Sequence, residues 1–147
     1  MGVDEKDLKI LGALKENARL TTNQIAKKTG IPITTVHNRI KRLVESGVIK
    51  KFTVELDYEK LDKGICAFIL MSAAYKDEAG VVDQKKLALK LRKYPAVESA
   101  YIITGTSDLL LKTRYRNIRE MNDFTIHTLR KIQGVESTNT IIVLDEV

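Results

Sequence analysis

The chain has 147 residues, enough for one domain or two small ones, and its 44% apolar and 30% charged composition is that of a folded protein rather than a disordered or fibrous one. The most apolar stretch, Ile65 to Ala74, is about half of what crosses a bilayer, and the first nine residues are too charged for a secretory signal. A cytoplasmic chain with no membrane partner is therefore expected.

The net charge of +6 is unevenly placed: eight basic residues between Arg19 and Lys51 face a single acid, Glu45, and the remainder is close to neutral. A basic excess confined to one short segment suits a binder of phosphate backbone, because each neutralised phosphate releases condensed counterions.

Asp4 precedes Leu8, Ile10, Leu11 and Leu14, which recur at helical spacing, and acids crowd the first turn where the macrodipole favours them. A first helix is expected, with Leu8, Leu11 and Leu14, joined by Ile10, as its apolar positions. Thr21, followed three residues later by Gln24, is a capping box that opens a second helix carrying Ile25 and Ala26. Gly30, able to take positive φ, ends it. Pro32 is tolerated in the first turn of a third helix, which Gly47 closes.

With Val36 as origin and about 100° per residue, Ile40 and Leu43 lie within roughly 40° of it, forming a narrow apolar stripe. Thr34, Asn38, Lys41 and Glu45 fall on the opposite side. Thr35, His37 and Arg42 flank that outer face, while Arg39 lies near the core boundary, in reach of either a phosphate or a neighbouring carboxylate. Two short helices joined through a glycine, the second with an exposed hydrogen-bonding face, meet the requirements of a helix-turn-helix. In that arrangement the third helix enters the major groove. Asn38 pairs with adenine edges, Arg42 and Lys41 with guanine or phosphate, and the threonine methyls meet thymine. Lys27 and Lys28 on the second helix lie near phosphates. The alternative is an ordinary solvated face of a three-helix bundle. Beyond Gly47, Val48 to Leu56 is β-prone and reads as a strand leaving the bundle. Lys50 and Lys51 extend the basic footprint, and Asp57 to Gly64 supplies a polar hinge.

Ile65 to Tyr75 is a strand apolar on both faces, with Ile65, Ala67, Ile69, Met71 and Ala73 on one and Cys66, Phe68, Leu70 and Ala74 on the other, so both sides need cover. The lone Cys66 cannot form an intramolecular disulfide and is expected as a buried small hydrophobe. A helix follows from Asp83 to Tyr94, marked by Leu87, Ala88, Leu91 and Tyr94 and stopped by Pro95. Val97 to Thr104 and Leu109 to Tyr115 are further strands. Asn117 to Ile132 is a second helix, with Ile118, Met121, Thr125, Leu129 and Ile132 inward, and Val135 to Leu144 is the last strand.

The order βαββαβ is the ferredoxin-like split arrangement, with two helices on one face of an antiparallel sheet. The other face, apolar along its first strand, is expected to pack on a second copy of itself as a homodimer. The expected fold class is α+β. A three-helix, winged-helix-like helix-turn-helix domain occupies 1–50, a linker strand and hinge 51–64, and a ferredoxin-like dimerisation and effector domain 65–147.

Asp4, Asp7, Ile10-Leu11, Leu14, Asn17-Ala18-Arg19, Ile25-Ala26, Gly30, Thr35-Val36, Arg39-Ile40, Leu43 and Gly47-Val48-Ile49 form a pattern that closely resembles the Lrp/AsnC family of bacterial and archaeal transcription regulators. Pro32 departs from it, standing where members commonly place a serine that caps the recognition helix. The second half is similar to the regulatory domain of the same family. The resemblance implies a sequence-specific regulator that binds double-stranded DNA, assembles as a dimer and further to a tetramer or octamer, and takes a small-molecule effector such as an amino acid between dimers.

Members often carry a glycine-acid-aromatic-acid turn between the second and third strands of that domain. Here the turn is Gly105-Thr106-Ser107-Asp108, keeping the glycine and the last acid. The resemblance offers Asp108 to an ammonium group and the Gly105 backbone to a carboxylate; the alternative is a plain hairpin turn. Tetrapyrrole decarboxylases that share both folds need histidine or arginine groups around a large pocket, whereas the histidines here are His37 and His127. Paired catalytic carboxylates, metal-ligand spacing and a phosphate-binding glycine loop are not found, so neither an enzyme nor a cofactor is expected. A sequence-tolerant architectural protein that wraps DNA around an octamer remains the rival to a sequence-specific regulator.

Overall fold

The computed structural model describes residues 2–78 and 80–146, and its contacts divide the chain between Leu56 and Asp57 into two units. In the first, α1 (Glu5–Glu16), α2 (Thr22–Thr29) and α3 (Ile33–Glu45) follow one another closely. The start of α1 is a reciprocal capping box, in which the Asp4 carboxylate accepts the Asp7 N–H at 2.9 Å and the Asp7 carboxylate accepts the Asp4 N–H at 3.0 Å. Thr21 and Gln24 cap α2 in the same way, and Gly30, at φ 69°, turns the chain toward α3. Ile10, Ala13, Ile25, Ile31 and Val36 make the core, with Leu43 also buried.

The inward stripe of α1 is centred on Ile10 rather than on the leucines, of which Leu14 packs at the margin of the core. Asp7, Ile10 and Ala13 are buried, while Leu8 is 62% exposed. Leucines at helical spacing fit either phase. The choice falls on the one that turns the Asp7 carboxylate inward, where arginines of α3 neutralise it.

The strand expected over Val48 to Leu56 is not formed, since residues 51–57 pair with no strand among the described residues. A strand needs a neighbour for its N–H and C=O groups. Phe52, Val54 and Leu56, which alternate along this segment, are correspondingly 53%, 71% and 47% exposed. Residues 57–64 form a hydrogen-bonded turn, in which the Lys63 N–H donates to the Tyr58 carbonyl at 2.8 Å and Asp62 adopts φ 55°.

In the second unit β1 (Ile65–Ala73), β4 (Val97–Ile102), β5 (Leu109–Tyr115) and β6 (Val135–Ile142) form one antiparallel sheet in the order β4-β5-β1-β6. Two further short strands that the sequence pattern does not mark, β2 (Lys76–Asp77) and β3 (Gly80–Val81), pair with each other. The helix α4 (Gln84–Leu91) is capped by Asp83, whose carboxylate accepts the N–H groups of Lys85 and Lys86. Leu87 and Leu91 of α4, with Leu129 and Ile132, pack on Ile69, Met71, Leu109 and Leu111 of the sheet.

The second helix is not uniform: α5 (Ile118–Asp123) continues as a π turn over Phe124–Thr128 and a 3-10 turn over Leu129–Lys131. Leu129 donates its N–H back to the Phe124 carbonyl, five residues away. The wider turn brings Phe124 into contact with the core beside buried Met121, Leu129 and Ile132, while Ile118, expected inward, is 46% exposed at the start of α5.

The uncovered sheet face is apolar only in part. Phe68, Leu70 and Leu110 are half-buried there, and Tyr101 and Ile141 are 52% and 49% exposed. Register places Lys112 opposite Phe68 and Arg114 opposite Cys66, so the other end is charged. Glu98 and Glu146 pair with both cations, and the Arg114 guanidinium lies 4.2 Å from the centre of the Tyr58 ring. Cys66 is buried at that end, and burial pushes its thiol pKa up, as for an inert core group.

Candidate nucleic-acid interface

One side of α3 is sealed, with Val36 and Leu43 buried and Ile40 partly so. The side turned away from it carries Thr34, His37, Asn38 and Lys41, all exposed, with Thr35 half-buried at the margin. Pro32 stands at the N-cap and supplies no side-chain hydrogen bond, so the first-turn N–H groups of α3 lack the usual cap. Lys41 lies 3.9 Å from Glu45 one turn on, both well exposed, a spacing that constrains neither.

The two arginines of α3 behave differently. Arg39 and Arg42, three residues apart, share the flank that meets the start of α1. Arg39 Nη1 lies 2.6 Å from both Asp4 carboxylate oxygens and 3.0 Å from Asp7 Oδ1, while Arg42 Nη2 pairs with Asp7 Oδ2. The Asp7 side chain is fully buried, and those of Arg39 and Arg42 are 20% and 34% exposed.

The hydrogen bond from Arg39, with that from the Asp7 N–H, lowers Asp4 to about 2. Burial opposes ionisation of Asp7, yet the Asp4 N–H, Arg39 and Arg42 outweigh it and hold that carboxyl below its ordinary value. Arg39 is raised, chiefly by Asp4 and then Asp7. Both arginines were expected on the DNA face; Arg39 takes the carboxylate alternative, and Arg42 is engaged the same way.

Lys27, Lys28, Lys50 and Lys51 are exposed as expected. Lys28 pairs with Glu16, whereas Lys27, Lys50 and Lys51 have no ion pair among the described residues. Hydropathy alone passed over Asp7, the buried partner of both arginines. Its signal was the second acid of a capping box, read together with arginines three apart on the helix that must pack nearby.

In the second unit Gly105 takes φ 126°, Gly105 and Thr106 are exposed and Ser107 is half-buried. The Asp108 carboxylate accepts the Ala73 N–H at 2.8 Å and the Gln84 side-chain amide at 3.0 Å, while its own N–H donates to the Met71 carbonyl at 2.9 Å. Asp108 thus fastens the turn to β1 and α4. It also lines an open cleft of 460 Å³ together with Tyr75, Gln84 and Glu136. His37 and His127 are exposed, and among the described residues no group of three or more His, Cys, Asp or Glu could hold a metal. Among the described residues no helix is long and apolar enough to cross a membrane.

A buried three-helix core presenting the polar edge of its third helix, followed by a ferredoxin-like unit, defines a two-domain helix-turn-helix protein. Residues 3–50 match the winged helix-turn-helix DNA-binding model, and residues 66–147 match the Lrp/AsnC ligand binding domain. The chain is 44% identical over 145 residues to an uncharacterized HTH-type transcriptional regulator of Pyrococcus abyssi, covering 99% of this chain and 95% of that protein.

A transcriptional regulator of Neisseria meningitidis, solved as its L-methionine complex, superposes with a TM-score of 0.90 at 29% identity, covering 99% of this chain and 92% of that one. AsnC of E. coli superposes at 0.81 with 28% identity, covering 99% and 95%. The chain belongs to the Lrp/AsnC family of transcriptional regulators. It is a DNA-binding regulator, and the match is to such regulators rather than to enzymes.

Proposed function

We propose that the protein is a cytoplasmic, sequence-specific regulator in which residues 1–50 bind DNA, 51–64 link the domains and 65–147 assemble the oligomer. One observation carries this: Thr34, Asn38 and Lys41 stand exposed on a helix whose opposite side is sealed into the core. An amide, a hydroxyl and an ammonium on one edge offer donors and acceptors to base edges in a major groove. Thr35 and His37 border that edge, and Lys27, Lys28, Lys50 and Lys51 supply phosphate contacts around it.

A homodimer suits the sheet face on which Phe68, Leu70, Tyr101 and Ile141 remain partly uncovered, and it offers the unpaired segment through Phe52, Val54 and Leu56 a strand neighbour. Further assembly to a tetramer or octamer follows the family pattern. A small-molecule effector with an ammonium group fits beside Asp108 and Glu136 in the cleft, near the turn Gly105-Thr106-Ser107-Asp108. The L-methionine bound by the Neisseria relative supports an amino acid as that class. Such a ligand acts only through its different affinities for the assembly states.

The test is selection of binding sites from random duplexes at two salt concentrations. A regulator enriches paired half-sites about 10–10.5 base pairs apart, or multiples of that. Recovery with no enrichment at either salt contradicts sequence-specific recognition and favours the architectural role.

A further inference from the structure

Beside the exposed edge of α3, the two arginines of that helix converge on a buried carboxylate of α1. Asp7 takes Arg39 on one oxygen and Arg42 on the other, and it holds the Asp4 N–H as well. Asp4 takes Arg39 a second time. Two carboxylates and two guanidiniums therefore neutralise each other across the contact between the start of α1 and one flank of α3. The opposite flank of α3 carries His37 and Lys41, which among the described residues have no ion pair to α1.

This arrangement has two physical effects. A helix held to its neighbour at residues 39 and 42, as well as by Val36 and Leu43, cannot roll about its axis, so Thr34, Asn38 and Lys41 keep a fixed presentation. It also engages, at a partly exposed flank, two of the longest and most strongly phosphate-seeking side chains, which would otherwise add nonspecific attraction.

Resting on the proposed DNA-binding reading, we infer that Asp7 is a positioning residue for sequence discrimination. It sets the roll of α3, and it caps the phosphate-directed charge of this face by engaging Arg39 and Arg42. The base-facing residues choose the sequence; Asp7 keeps the arginines from binding every sequence alike.

The experiment compares the full-length protein with its Asp7→Asn, Arg42→Gln and Lys27→Ala variants, on a selected duplex and on a random duplex of equal length, across a salt series. Circular dichroism monitors folding. Asp7→Asn keeps the shape and removes the charge. It is expected to tighten binding to random DNA, shrink the ratio of selected to random affinity, and steepen the slope of log K against log salt by about 0.9 for each guanidinium released to a phosphate. Lost packing alone would weaken both duplexes and would not steepen that slope. Arg42→Gln is expected to leave the slope as in the wild type, because that guanidinium already faces Asp7, whereas Lys27→Ala flattens it by about 0.9.

Should Asp7→Asn fail to fold, the Arg42→Gln slope decides: a slope flattened as much as by Lys27→Ala places Arg42 on phosphate and overturns the inference. A folded Asp7→Asn variant with unchanged slope and unchanged ratio overturns it equally. Neither result touches the DNA-binding reading, which fails separately if the wild type binds no duplex at low salt.

Discussion

Residues of one type divide here by their neighbours. Arg39 and Arg42 are tied to carboxylates, whereas Lys27, Lys50 and Lys51 stand free of ion pairs among the described residues, so positive charge in the sequence overstates what the surface offers a duplex. Asn38→Ala should relax base preference at one position of the half-site, reducing discrimination by about 1–3 kcal/mol. Lys27→Ala should instead weaken all duplexes alike; parallel titrations on matched and mismatched sites separate the two.

Asp4 and Asp7 add a pH dependence. Their folded-state pKa values lie below the ordinary carboxylate value, to about 2 for Asp4, so their contribution is complete above that ordinary value and is lost as pH falls through the depressed one. The first unit should therefore melt at progressively lower temperature as acid is added, and Arg39→Gln should flatten that dependence. An acid profile identical in the variant contradicts the role given to the cluster. The exposed edge of α3 was legible from helical angles alone. Asp7 was not, because hydropathy puts carboxylates outside and cannot see a partner thirty-two residues on.

Among the elements, those with local punctuation were the most legible. The capping box of Thr21 with Gln24 and the positive φ of Gly30 fix both ends of α2, and each follows from residues within one turn. Gly30→Ala should cost about 1–2 kcal/mol in the first unit's stability, since the left-handed conformation brings a Cβ against the backbone. In the second unit, Leu91→Ala should cost about 2–5 kcal/mol by opening a cavity between α4 and the sheet; denaturant midpoints measure both.

Elements whose form depends on distant partners are not legible in the local sequence. The π turn after α5 is one, because its phase is set by how Phe124 and Leu129 reach the core together. The segment from Val48 to Leu56 is another, because β-prone residues become a strand only beside a neighbour. The charged end of the open sheet face was hidden for a similar reason, as its cations come from β5 and were read apart from β1.

For the whole molecule, the proposed assembly turns one exposed helix edge into a pair related by two-fold symmetry. Leu70→Lys puts a charge in the middle of the uncovered sheet face; it should shift the protein toward monomer in sedimentation velocity and weaken binding to paired half-sites more than to a single one. Unaltered sedimentation would move the interface elsewhere.

Base recognition of the proposed kind requires the Thr34, Asn38 and Lys41 edge to lie in a groove of the duplex. Site-directed cross-linking tests it most directly, with a photoreactive side chain placed at position 38 and, for comparison, at the exposed position 127 of the second unit. Cross-links to bases of a selected duplex from position 38, and none from 127, are predicted. Efficient cross-linking from 127 with none from 38 would contradict it.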